Sequence, residues 1–213
     1  MPYFIQEHYR IEVGKIICVD SDGGDDHRFC IKPASSITRS DQAIEIPSDA
    51  EELGFRMMLA AAVGERISAR RRHKMASLMG FGAALDIYDV RKLKTARKNG
   101  LPWAEAKGSD TFCPISDFTP VKDIDDPYDL EVYLEVNGEE VIKGSTKDRR
   151  IDMENVLERV TRSITLYPGD LICVPVSDEE GFLSAGDSIE AGISSVGVLR
   201  HIVKSTSSAT SSP

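Results

Sequence analysis

Three groups of side chains in this 213-residue chain are dense enough in charge or sulfur to do chemistry. Asp20-Ser21-Asp22-Gly23-Gly24-Asp25-Asp26 puts four carboxylates into seven residues. These are hard oxygen donors of the kind Ca²⁺ takes. The segment lacks the twelve-residue frame and closing glutamate of an EF-hand loop, so it reads first as a solvated turn. Arg70-Arg71-Arg72-His73-Lys74 could hold phosphate or an acidic partner, and reads first as a solvated helix face. Cys18, Cys30, Cys113 and Cys173 show no CxxC spacing, and three of them lie in apolar, strand-like runs. They read as buried thiols of a reducing compartment rather than as disulfides or zinc ligands.

The elements that would position these groups are mostly strands. Lys15 to Val19 is a short apolar strand that feeds the acidic turn, and Phe29 to Lys32 is its successor. Phe55 to Val63 is too continuously apolar to alternate, so it reads as a strand buried on both faces. Ser68 can cap a helix whose Met75, Leu78 and Met79 turn inward. Gly82 to Tyr88 reads as another strand. Leu130, Val132, Leu134 and Val136 alternate with Glu131, Tyr133 and Glu135, and Asn137-Gly138 supplies a hairpin turn. Met153, Val156, Leu157, Val160 and Ile164 fall at helical spacing behind Asp152 as N-cap. A turn at Pro168-Gly169-Asp170 precedes three more strands, Leu171–Val176, Ser188–Ile193 and Val196–Val203. The order predicts an α+β fold: a strand-rich, rolled mixed sheet with a few peripheral helices.

The length suits one sizeable core. Residues 1–9 are expected to form an arm, 10–203 one domain, and 204–213 a Ser/Thr-rich disordered tail. With 35 acidic and 26 basic residues the formal charge is −9, which argues against a nucleic-acid surface over the whole molecule. No apolar run nears the roughly 20 residues of a membrane span. No secretory signal is visible, and the first ten residues make no convincing mitochondrial presequence.

The most distinctive stretch is Asn99 to Gly144. It contains Asn-Gly-Leu-Pro-Trp, then Ala-Lys-Gly-Ser-Asp-Thr-Phe-Cys-Pro-Ile-Ser, then Asp-Asp-Pro-Tyr-Asp-Leu, then the strand ending in Val-Asn-Gly-Glu. It resembles the fumarylacetoacetate hydrolase family, closest to the acylpyruvase and oxaloacetate decarboxylase branch, and the resemblance runs from Ile16 to Val203. The resemblance implies a dimeric, rolled, strand-rich fold. It also implies Mg²⁺ or Mn²⁺ held by three carboxylates, a His-Glu pair on a lid, a substrate-holding lysine, and a Thr-Gly-Thr-Pro turn.

Position by position, Asp86 in Leu85-Asp86-Ile87 matches the third carboxylate, and Lys107 matches the lysine. The first two carboxylates would fall on the strand ending at Gly64, where Arg56 and Met58 stand instead. Alternate strand residues share a face, so both would point at the metal position. A guanidinium repels Mg²⁺, and a thioether is the wrong donor for it. The lid is cut to Asp20–Arg28, shorter than the family's by roughly ten residues, a change surface loops tolerate. His27 lies there with no following glutamate to orient it as a base. Val174-Pro175-Val176-Ser177 replaces the Thr-Gly-Thr-Pro turn.

These departures lead to the expectation of a catalytically inactive family member, a pseudoenzyme with its metal site lost. It would act as a structural or binding subunit, as a homodimer or in a larger complex, and no cofactor is expected. In that reading Asp86 and Lys107 are remnants, and Arg56 either pairs with Asp86 or points to a surface or an interface. The alternative is a metal-independent or residually metal-dependent hydrolase or decarboxylase of a small keto acid. Arg56 and Lys107 would then bind substrate, with Mg²⁺ or Mn²⁺ in the metal-dependent case. The family resemblance favours the mitochondrial matrix over the cytoplasm.

Overall fold

The computed structural model describes residues 3–6, 9–20, 28–72, 74–148 and 152–206. The chain opens with a hairpin of β1 (Tyr3–Gln6) and β2 (Tyr9–Glu12). It continues through β3 (Lys15–Asp20), β4 (Arg28–Pro33), β5 (Ile37–Arg39), β6 (Ile44–Ile46), β7 (Leu53–Val63) and β8 (Leu78–Asp89). Next come β9 (Cys113–Ile115), β10 (Thr119–Pro120), β11 (Glu131–Val136) and β12 (Glu139–Ser145). The last strands are β13 (Leu171–Leu183), β14 (Ser188–Ile193) and β15 (Gly197–Ser205). Three helices sit outside the sheets: α1 (Val90–Asn99), α2 (Ala104–Lys107) and α3 (Met153–Thr161). Among the described residues no helix is long and apolar enough to cross a membrane.

The larger sheet runs β4-β3-β13-β7-β8-β9-β5, with β10 also on β8. It is mixed, because β13–β3 and β5–β9 are parallel and the other pairings antiparallel. The smaller sheet runs β12-β11-β14-β15-β6. The expected α+β class with a mixed sheet and few helices is what the chain forms.

β7 explains why its sequence does not alternate. Phe55, Met57, Leu59, Ala61 and Val63 face the main core, while Met58, Ala60 and Ala62 enter a second apolar cluster. Apart from Arg56 both faces are dry, so the rest of the strand is apolar on each. The sheet is also strongly curled. The Lys32 ammonium on β4 lies 2.7 Å from Asp86 on β8, although four strand steps separate them. In a flat sheet those steps would span about 19 Å, beyond any lysine's reach.

Local signals account for the turns. Asn137 and Gly138 both have positive φ, 55° and 79°, as a two-residue hairpin with a right-handed strand twist requires. Asp152 caps α3 by accepting the Glu154 N–H at 3.0 Å. Asp89 caps α1 through the Lys92 N–H at 2.8 Å, and Gly100, at φ 65°, ends it.

The helix expected after Ser68 does not form. Lys74–Ser77 makes one 3₁₀ turn, and Leu78 already opens β8. Glu154 on α3 accepts the Lys74 and Met75 N–H groups at 3.1 and 3.0 Å. Leu78 and Gly80 are drawn into register with Val63 and Ala62 of β7. Long-range pairing therefore overrides a local helical spacing. Arg70 and Arg72 are exposed and Arg71 pairs with Glu65, while His73 lies outside the described residues.

Candidate active site

The inner face of the curled sheet collects the polar residues. Strand alternation sends Asp20 inward from β3, Lys32 from β4, Arg56 from β7, and Asp86 and Tyr88 from β8. Register then sets them in a row. Glu180 of β13 lies opposite Arg56, and Arg56 lies opposite Asp86. α2 delivers Lys107 as its last residue, with the ammonium 5.5 Å from the centre of the Tyr88 ring.

Asp86 and Lys107, both matched from sequence, meet at 2.5 Å. Lys32 takes the other Asp86 oxygen at 2.7 Å. It also donates to the Ile87 and Phe112 carbonyls at 2.7 and 2.6 Å. Two hydrogen bonds and the Asp86 ion pair together are how a lysine with no exposed surface is tolerated, although Asp86 Oδ1 itself accepts no well-formed hydrogen bond. Burial alone would raise the Asp86 pKa. The Lys107 and Lys32 ammonium groups overcome it and hold the carboxyl well below the usual range. Burial likewise opposes charge on Lys107, and Asp86 reverses this, so Lys107 stays a cation.

Of the two positions open to Arg56 from sequence, pairing with Asp86 does not occur. Its Nη1 donates to Asp20 at 2.5 Å, and its Nε and Nη2 bind Glu180. Asp20 and Glu180 compete successfully because Asp86 is already bound by two lysines. Arg97 on α1 holds the second Asp20 oxygen at 2.8 Å and lies over the Trp103 ring at 5.4 Å. Burial would raise Asp20, but Lys107, Arg56 and Arg97 lower it. The Tyr88 hydroxyl donates to the second Glu180 oxygen at 2.9 Å. Among the described residues, four cations thus face three carboxylates.

Met58 is fully buried in the apolar cluster with Cys18, Ala84 and Cys173. His27 and the acidic turn beyond Asp20 lie outside the described residues. The four cysteines are free thiols, and Cys30, Cys18 and Cys173 stand side by side on β4, β3 and β13. Cys113 is buried in the same apolar cluster as Cys18 and Cys173.

Four site residues, Lys32, Tyr88, Arg97 and Glu180, escaped the sequence reading. Lys32 stands before a proline, where a charge suggests a strand end. Its signal was the two-residue step from Cys30, which gives both the same face. Arg97 sits on a helix that shows only Leu93 and Ala96 as inward positions. Glu180 had no local signal, because a slip in register places it.

Among the described residues no three His, Cys, Asp or Glu side chains are gathered to hold a metal. The matched ligand, Asp86, spends both oxygens on ammonium groups. This donor set does not fit an octahedral Mg²⁺ or Mn²⁺. Asp22, Asp25, Asp26 and His27 lie outside the residues so tested.

Comparison with known proteins supplies the context. The chain is 33% identical over 175 residues to a mitochondrial oxaloacetate tautomerase of Arabidopsis thaliana, covering 82% of this chain and 78% of that protein. It is 30% identical over 167 residues to a mitochondrial oxaloacetate decarboxylase of Dictyostelium discoideum, covering 78% and 77%. Its fold is similar, with TM-score 0.87 and 20% identity over 96% of this chain and 95% of the other, to a Pseudomonas aeruginosa fumarylpyruvate hydrolase in complex with Mn²⁺ and pyruvate.

These relatives correct the expectation of an inactive subunit with its metal site lost. Proteins sharing about a third of their residues with this chain are named for reactions on oxaloacetate. Among the described residues the folded site holds four cations. Residues 12–204 match the family model described as fumarylacetoacetate (FAA) hydrolase C-terminal, and the chain belongs to that family.

Proposed function

We propose that this chain is an enzyme acting on a small 2-keto acid of the oxaloacetate or acylpyruvate type. The observation that carries this reading is the Lys107 ammonium, held protonated by Asp86 on the same inner face as Arg56. A substrate carboxylate would bind the Arg56 guanidinium, and the C2 oxygen would face Lys107. Transfer of a C3 proton to solvent water, or loss of the carboxylate on C3 as CO₂, leaves negative charge on that oxygen. A fixed cation there lowers the barrier to either reaction. Lys32 acts through Asp86, keeping the carboxylate ionised and hence Lys107 charged and oriented.

The names of the relatives support keto–enol interconversion and decarboxylation of oxaloacetate ahead of acylpyruvate hydrolysis. They also support a mitochondrial location, which cell fractionation tests. The dimer implied by the family is tested by light scattering. For activity, oxaloacetate tautomerisation and decarboxylation and acylpyruvate hydrolysis are assayed with and without Mg²⁺ or Mn²⁺. Turnover is expected, falling about 100-fold in Lys107→Met, the scale for losing one oxyanion donor. No turnover of any of these substrates under either condition would reject the reading. Turnover that needs added metal and vanishes in Asp86→Ala would transfer the role of the cations to a bound ion.

A further inference from the structure

β13 leaves regular pairing where it passes the site. From Leu171 to Pro175 it steps residue for residue along β7, ending with Pro175 opposite Met58. Unbroken alternation would then bring Ser177 opposite Arg56. Instead the register slips, and Glu180 takes that place. The extra residues of this bulge fall in and just after the segment that replaces the expected substrate turn. Their effect is to deliver a carboxylate onto the guanidinium.

The two carboxylates on Arg56 are unlike. Asp20 has a side chain only 1% exposed and is clamped by a second arginine, Arg97. Glu180 has a side chain 35% exposed, and its other oxygen accepts from the Tyr88 hydroxyl at 2.9 Å. One partner of Arg56 is therefore fixed, and the other is in contact with water. Rotation of the Glu180 side chain alone would take this carboxylate off Arg56 and leave the pairing of 171–175 and 180–183 with β7 in place.

We propose that Arg56 and Tyr88 form a carboxylate-binding subsite that Glu180 fills in the absence of ligand, and that a carboxylate ligand enters by displacing Glu180. The exchange keeps the guanidinium and the phenol paired in both states, so no buried donor is left unsatisfied. Its cost is competition, because a tethered carboxylate acts at a high effective concentration. Glu180 thereby sets how strongly a carboxylate must bind to enter. The proposal rests on the keto-acid reading for the identity of the ligand, but its test needs no turnover.

Malonate, a dicarboxylate without a reacting carbonyl, is titrated calorimetrically into the wild type, Glu180→Gln, Glu180→Asp and Arg56→Lys, each checked for folding by thermal melting. Glu180→Gln removes the competing charge and is expected to bind malonate about tenfold tighter, or about 1.4 kcal/mol. Glu180→Asp keeps the charge but shortens its reach, and a gain in the same direction is expected. Arg56→Lys loses the two-point fork, and adding it to Glu180→Gln is expected to cancel the gain. The proposal is overturned by unchanged or weaker binding in both Glu180 variants, by a gain that survives Arg56→Lys, or by no malonate binding in any variant. Oxaloacetate turnover without tighter malonate binding would reject the subsite alone. Tighter binding without turnover of any keto acid would reject the enzymatic reading alone.

Discussion

Two charged sets share the inner face of one curled sheet and are built on opposite terms. Asp86 with Lys32 and Lys107 is sealed, each side chain being no more than 3% exposed. Arg56 with Asp20, Glu180 and Arg97 grades outward, from a sealed Asp20 to an Arg97 that is 42% exposed. In the sealed set each charge is held by its ion partners with little access for water, so it suits orientation of a reacting atom that the graded set admits. In the graded set water can substitute for a partner, so it suits exchange of one anion for another. A single site therefore separates the group that polarises from the group that admits.

The largest expected effect breaks the sealed set. Asp86→Asn leaves two buried ammonium groups without their counter-ion. Removing one partner of a buried ion pair costs about 3–5 kcal/mol, so urea denaturation should show a loss of that order, with Lys107 more easily deprotonated. A loss under about 1 kcal/mol would mean that water reaches Asp86 and that the contrast between the two sets is false.

The contrast also shows what the sequence could reveal. Asp86 and Lys107 were legible because short segments, Leu85-Asp86-Ile87 and the run after Leu101-Pro102-Trp103, fix them locally. β7 was legible because a strand buried on both faces is apolar at nearly every position, Arg56 excepted. The sealed set was half visible, since Lys32 becomes a partner only when the sheet curls. The graded set was scarcely visible. Its key carboxylate depends on the slip after Pro175, and no periodicity in residues 171–183 announces a slip. The helix expected after Ser68 failed for a related reason, since partners from α3 and β7 decide that segment.

Acid titration should sharpen the same comparison at intermediate size. Asp86 and Asp20 both have folded pKa values below the ordinary one, near 3.9. The unfolded chain therefore binds the proton first as pH falls. The stability these groups contribute is fully present above that value and is lost as pH drops through the depressed folded values. The urea midpoint should fall below about pH 4. Asp86→Asn should show a shallower fall, because one linked proton is gone. An unchanged slope in Asp86→Asn would assign the acid limb to other carboxylates.

The smallest effect is expected at the outer rim. Arg97→Ala removes one of two cations from Asp20 and uncovers Trp103. Because the guanidinium is largely in water, its pair is screened, and the cost should be about 1 kcal/mol or less. Salt separates this from the sealed set. At 1 M ionic strength the screening length is about 3 Å, so the stability difference between wild type and Arg97→Ala should shrink. The Asp86→Asn difference should hold, since ions do not enter between groups that water cannot reach. Equal salt sensitivity in the two variants would show that solvent reaches both sets alike, and the division between an orienting set and an admitting set would lose its physical basis.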